Sequence, residues 1–205
     1  MRDGPLLTFT AVSLRYPTAT IFHNLTLNLP EERVVITGEN GSGKTTLLML
    51  AAGLVTPDAG EITFDSHPVT SQQNKRRIGI SASKVALPAF FTSRELLDFH
   101  CHMHQCTLDL TMAEQLGFSP FLQTRVSDLS LGNYKKLSLL TALLHGPDLL
   151  LLDEPTNGLD DDARHAMNAI LSDFTGQLII ASHDTALLSL PFDREIPMKH
   201  IRGVS

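Results

Sequence analysis

The chain has 205 residues, 42% of them hydrophobic and 19% charged, a balance that suits a folded core and excludes a disordered polymer. A net charge of −6 supplies no basic face for nucleic acid, and no apolar run reaches the roughly 20 residues that cross a bilayer. Any membrane part is therefore expected from another chain. Only two cysteines, Cys101 and Cys106, argue against a disulfide framework and for a reducing, cytoplasmic setting. Met1 to Pro5 carries no secretory leader.

Residues Leu6 to Arg15 alternate in places and Ile21 to Leu29 alternate clearly, as half-buried strands do. Arg33 to Thr37 reads as a short buried strand and Leu47 to Gly53 as a helix. Strands are expected again at Gly60–Asp65 and Arg77–Ser81. From about Pro88 to Leu144 the pattern turns helical, best at Arg94–His104 and Tyr134–Leu144. Asp148–Leu152 and Gln177–Ala181 read as short strands, apolar after their first residue, and flank a helix at Asp161–Phe174. Short apolar strands on either side of a helix indicate a parallel sheet covered on both faces. The expected fold is α/β, with a mostly parallel core sheet, an antiparallel β edge and a helical insertion. One domain over 1–205 is expected: an antiparallel part at about 5–30, a core at 31–82 and 146–205, and a helical part at about 83–145.

The stretch between the third strand and its helix carries the chemistry. Gly38-Glu39-Asn40-Gly41-Ser42-Gly43-Lys44-Thr45-Thr46 fills the G-x-x-x-x-G-K-[ST] phosphate-loop pattern without a gap. Glycines let successive backbone N–H groups converge on phosphate oxygens, and the helix N-terminus adds partial positive charge. Lys44 is expected at the β- and γ-phosphates, with the Thr45 hydroxyl on Mg²⁺. About 110 residues later, Leu149-Leu150-Leu151-Leu152-Asp153-Glu154 is an apolar strand ending in two acids. Asp153 can meet the Mg²⁺ held by Thr45, and Glu154 is free to polarise an attacking water.

Five motifs in order then carry a resemblance: Gly38–Thr46, Leu129-Ser130-Leu131-Gly132-Asn133, Leu149–Glu154, Pro155-Thr156-Asn157-Gly158-Leu159-Asp160, and Ile179-Ile180-Ala181-Ser182-His183. Over roughly residues 6 to 190 the chain resembles the nucleotide-binding subunit of ATP-binding-cassette (ABC) transporters, of a short, exporter-like type. The resemblance implies that Tyr16 stacks on adenine, that Glu154 is the catalytic base, and that His183 contacts the γ-phosphate. It implies that Ser130, Leu131, Gly132 and Asn133 act in trans on a second copy's site, and that Asp160 lies at the dimer interface. ATP with Mg²⁺, an integral membrane transporter subunit, a second cassette and a peripheral place on the inner face of the cell membrane are the implied cofactor, partners and location; no nucleic acid is expected.

The chain departs from the family pattern in places. Leu131 replaces a glycine of the signature and Asn133 a glutamine one methylene longer. Ser83 stands where the family places a glutamine that contacts metal and water. Its hydroxyl is shorter by several ångströms, so slower basal hydrolysis or a water-bridged substitute is expected. His100-Cys101-His102-Met103-His104-Gln105-Cys106 is the oddest local composition. Its i, i+4 pairs, His100 with His104 and His102 with Cys106, share helix faces, yet no second set of ligands is visible, and a partly exposed helix is the expected reading. The expected function is ATP hydrolysis that energises a transporter, with Ser83 to Phe91 and the helical part receiving the membrane partner. A soluble ATPase of the same fold and a low-turnover regulatory ATP-binding module are the alternatives.

Overall fold

The computed structural model describes residues 7–186 and 188–201, so the leader-free start expected at Met1–Pro5 lies outside the described residues. In chain order the elements are β1 (Leu7–Tyr16), β2 (Ala19–Leu29), β3 (Arg33–Thr37), α1 (Lys44–Ala51), β4 (Ala59–Phe64), β5 (His67–Pro68), α2 (Gln72–Lys75), β6 (Ile78–Ser81), α3 (Ser93–His104), α4 (Thr111–Gln115), α5 (Leu131–Leu143), β7 (Leu149–Asp153), α6 (Asp161–Asp173), β8 (Gln177–Ser182), β9 (Arg194–Pro197) and α7 (Met198–Ile201). An antiparallel sheet runs β2-β1-β4-β5 and a five-stranded sheet runs β6-β7-β8-β3-β9. Every pairing in the second sheet is parallel. Among the described residues, no helix is long and apolar enough to cross a membrane.

The parallel sheet is buried on both faces, and the two-residue period of its strands divides the core. Leu149 and Leu151 of β7, with Ile179 and Ala181 of β8, join Leu47, Leu48 and the antiparallel sheet on one side. Leu150 and Leu152, with Leu178 and Ile180, join α3, α5 and α6 on the other. All four leucines of β7 are fully buried. At about 2 kcal/mol per buried leucine side chain, this strand is a main anchor of the sheet.

Register then brings one end of the sheet into line. Thr37 pairs with Ser182, Asp153 with Ala181, and Ser81 with Leu152. The segments leaving β3, β6, β7 and β8 therefore emerge side by side at the strands' C-terminal edge, where open α/β sheets bind ligands.

Several expectations change in detail. The first helix begins at Lys44 rather than Leu47, because Gly43 already serves as its N-cap. Between the two long helices, the stretch from Gln105 to Ser130 is mostly turns and short helical pieces. The strand expected at Gly60–Asp65 joins the antiparallel sheet, so that sheet is not confined to residues 5–30. β9 supplies an edge strand that the sequence pattern did not reveal.

Candidate functional site

The loop from Gly38 to Gly43 connects β3 to α1, and Gly41 and Gly43 hold φ of 78° and 104°, angles that L side chains rarely adopt. Lys44 follows at the first turn of α1 and is 6% exposed. Its ammonium donates to the carbonyls of Gly38 and Glu39 at 2.5 and 3.2 Å and stands 3.4 Å from Glu154 Oε1. The loop faces a cleft of about 550 Å³, which Tyr16, Glu39, Asn40, Gly41, Thr45 and Thr46 also line. Tyr16, at the end of β1 and 36% exposed, forms its outer wall. Ser42 does not line the cleft; its buried hydroxyl has no hydrogen-bond partner.

Three oxygen donors meet at the base of this cleft. Thr45 Oγ1 donates to Asp153 Oδ2 at 2.8 Å, and Ser83 Oγ donates to the same oxygen at 3.1 Å. Ser83 thus reaches the acid at the end of β7 despite its short side chain, because β6 lies directly against β7. Two hydroxyls and a carboxylate are hard ligands that fit Mg²⁺, an ion that keeps several waters and needs few protein oxygens.

Glu154 occupies a left-handed conformation, φ 48°, which costs on the order of 1–3 kcal/mol outside glycine. Several contacts hold it there. Its own N–H donates to the Ala181 carbonyl at 2.8 Å. Its carboxylate accepts from the His183 N–H at 3.0 Å and the Ser182 hydroxyl at 3.3 Å, and lies 2.8 Å from His183 Nδ1. The turn projects the carboxylate toward Lys44. Glu154 and His183, the residues just after β7 and β8, are thereby brought together; Glu154 lines the cleft and His183 does not.

The Ser130–Asn133 segment occupies a different position. Ser130 caps α5, its Oγ accepting from Asn133 N–H at 3.3 Å. Gly132 lies so close to the turn after β7 that an added Cβ would stand 2.6 Å from the Gly158 carbonyl. That approach carries the start of α5 up to its own chain's cleft, which Leu131 and Lys135 line, whereas Ser130 and Gly132 do not. Leu131, expected to act on a second copy, is 68% exposed at the rim of its own chain's cleft. Asp160 caps α6, its Oδ1 accepting from Ala163 N–H at 2.8 Å, with Lys136 3.8 Å from its other oxygen.

The sequence reading assigned no role to Lys135, which lines the cleft, or to its neighbour Tyr134. Lys135 Nζ donates to the Asp153 carbonyl at 3.4 Å, and the Tyr134 hydroxyl accepts from Leu87 N–H at 2.8 Å. Tyr134 thereby ties the segment after β6 to α5. Both lie beside the signature stretch, but their partners are far away in sequence, and no local pattern marks such pairs.

A phosphate loop, an Mg²⁺-type oxygen set and an acid–histidine pair on one edge of a parallel sheet define a P-loop nucleoside-triphosphate-binding domain. Comparison with known proteins narrows that class. The family model described as ABC transporter matches residues 22–157, about two thirds of the chain. The chain belongs to the ABC transporter family and carries that family's ATPase domain. It is 36% identical over 168 residues to the Nod factor export ATP-binding protein I of Burkholderia thailandensis, covering 78% of this chain and 55% of that protein. The chain spans between half and two thirds of the length of such relatives. A solved ATP-binding subunit of an ABC transporter superposes with TM-score 0.83 at 20% identity, covering 98% of this chain and 95% of that one. A dimeric ATP-binding cassette in a post-hydrolysis state, bound to ADP and Pi, superposes with TM-score 0.80 at 20% identity, covering 94% of each.

Proposed function

We propose that this chain binds and hydrolyses ATP to drive a membrane transporter, of exporting type, and does so as a pair of cassettes. The observation that carries the reading is the convergence of Thr45, Ser83 and Asp153 below the phosphate loop, with Glu154 3.4 Å from Lys44 and 2.8 Å from His183. Loop N–H groups and Lys44 would grip the polyphosphate, and Tyr16 would stack on the base. Thr45, Asp153 and Ser83 would hold Mg²⁺, which neutralises charge on the β- and γ-phosphate oxygens when bound. Glu154 would take the proton of the attacking water. His183, 2.8 Å from it, would orient that carboxylate and the γ-phosphate. Lys44 would leave the Gly38 and Glu39 carbonyls for phosphate oxygens, which bind a cation more strongly than neutral carbonyls do.

Pairing is supported by the exposed Ser130 and Leu131 at the start of α5, which offer a hydroxyl and a helix N-terminus outward to a second copy. A structural neighbour is itself a dimer. The exporting direction follows the relatives' name, Nod factor export ATP-binding protein. Phe90, 71% exposed, sits 4.5 Å from Phe91, which stacks at 5.6 Å on Phe99. This aromatic patch after β6 is where a membrane subunit would dock, placing the chain on the inner face of the cell membrane.

Light scattering of the Glu154→Gln protein tests the pairing. MgATP should double its mass, and Ser130→Arg should keep it at one chain. A mass that stays at one chain with saturating MgATP contradicts the paired reading.

A further inference from the structure

The oddest stretch of the sequence acquires its missing partner in the fold. His100 and His104 lie one turn apart on α3, and His145, two residues beyond α5, closes against both. His100 Nε2 and His145 Nδ1 are 3.1 Å apart, and the His104 ring lies 4.3 Å from that of His100 and 4.1 Å from that of His145, centroid to centroid. One nitrogen from each of the three rings falls within 4.8 Å of the others. Cys106, expected to share a helix face with His102, instead follows the end of α3, because Gln105 turns left-handed at φ 59°.

From this geometry we infer a metal site: His100, His104 and His145 together bind one first-row divalent transition ion of the zinc class, clamping the end of α3 to the end of α5. Three imidazoles are the donor set that suits zinc, copper and nickel. A tetrahedral zinc with Zn–N bonds of 2.0–2.1 Å needs nitrogens about 3.3 Å apart, so the observed cluster reaches that shape with small ring rotations.

Two further observations point to an ion. His104 Nδ1 and His145 Nε2 are buried without a hydrogen-bond partner. Backbone groups of Arg76 and of Ile78 and Thr141 lie close to these rings but leave those nitrogens unpaired. A buried polar atom without a partner costs about 1–3 kcal/mol, which a coordinate bond would offset. Both helices also end here, α3 at His104 and α5 at Leu143, and helix C-termini carry partial negative charge that favours a cation. The cations facing the cluster are Arg76 and Lys75, both exposed, so solvent and salt screen them.

Met103 and Phe99 line the same cavity of about 360 Å³, as do Val85 and Leu87 of the segment after β6. A bound ion would therefore stiffen the wall beside the stretch that begins at Ser83.

Chelator-stripped full-length protein titrated with Zn²⁺ by calorimetry tests the site. One equivalent should bind at micromolar concentration or tighter, and Tm should rise by about 5–10 °C at a hundredfold excess over Kd. His104→Ala and His145→Gln should each weaken binding roughly tenfold or more, while the exposed His102→Ala leaves it unchanged. Co²⁺ in place of Zn²⁺ should give d–d bands of an imidazole site without thiolate charge transfer. No saturable binding overturns the inference, as does binding that survives both histidine variants or cobalt spectra showing Cys101 or Cys106 as ligands. Should His145→Gln fail to fold, the variant at His104, which is only partly buried, still decides.

Discussion

Replacing Glu154 by glutamine separates grip from chemistry. The glutamine keeps the size of the side chain and one carbonyl oxygen, so it can still accept from His183 N–H, now at 3.0 Å. It loses the negative charge 3.4 Å from Lys44 Nζ and 2.8 Å from His183 Nδ1, and with it the capacity to take a proton. A positioned general base contributes about 10²–10⁴ in rate, or roughly 3–5 kcal/mol of barrier. ATP binding should hold or tighten, because Lys44 no longer shares its charge with an acid. Phosphate release at saturating MgATP should therefore fall at least a hundredfold, while the Kd for ATP, measured by calorimetry, stays within a few fold of the parent's. Turnover within tenfold of the parent would refute the role of Glu154, and loss of ATP binding would refute the separation of grip from chemistry.

Ser83→Ala removes one of two hydroxyls on Asp153 Oδ2 and should raise the Mg²⁺ concentration needed for half-maximal turnover severalfold, measured by phosphate release. Ser83→Gln should raise turnover, since the amide reaches farther; an unchanged rate argues against slow hydrolysis from this position. Gly79→Ala would place its Cβ 2.0 Å from the Ala142 carbonyl, so overpacking should cost about 2 kcal/mol or more, read as a lower Tm. With metal stripped, acid should weaken the fold through His100 and His145, whose pKa values burial lowers to about 4 and about 3. The unfolded chain takes up these protons near pH 6.5, so the contribution is complete above 6.5 and lost as pH falls toward 4 and 3. Arg76 and Lys75, facing the cluster, add to the penalty on charging it. Urea titrations at pH 7 and pH 5 should show a smaller loss for His145→Leu than for the parent.

The nucleotide cleft was legible because its parts are local. Gly38–Thr46 states its own backbone geometry, and the four leucines before Asp153 state a strand buried on both faces, as found. Pairings across long loops left no such trace. His145 stands 41 residues beyond His104, and only the packing of α3 on α5 joins them. The bond from Leu87 to Tyr134 is equally invisible in one dimension. β9 was missed for a different reason: four residues ending in a proline, Arg194–Pro197, show no alternation long enough to detect. The bond from Ser83 to Asp153 was not legible either, because side-chain length alone says nothing about how close β6 brings its loop to that acid.

The grip of the phosphate loop on ATP is tested most directly by calorimetry on the parent and on Lys44→Ala, each with MgATP. The parent should bind one nucleotide per chain, and the variant should bind at least about tenfold more weakly, as expected for the loss of a charged contact to phosphate. Equal affinity in the two proteins would contradict the assignment of this cleft.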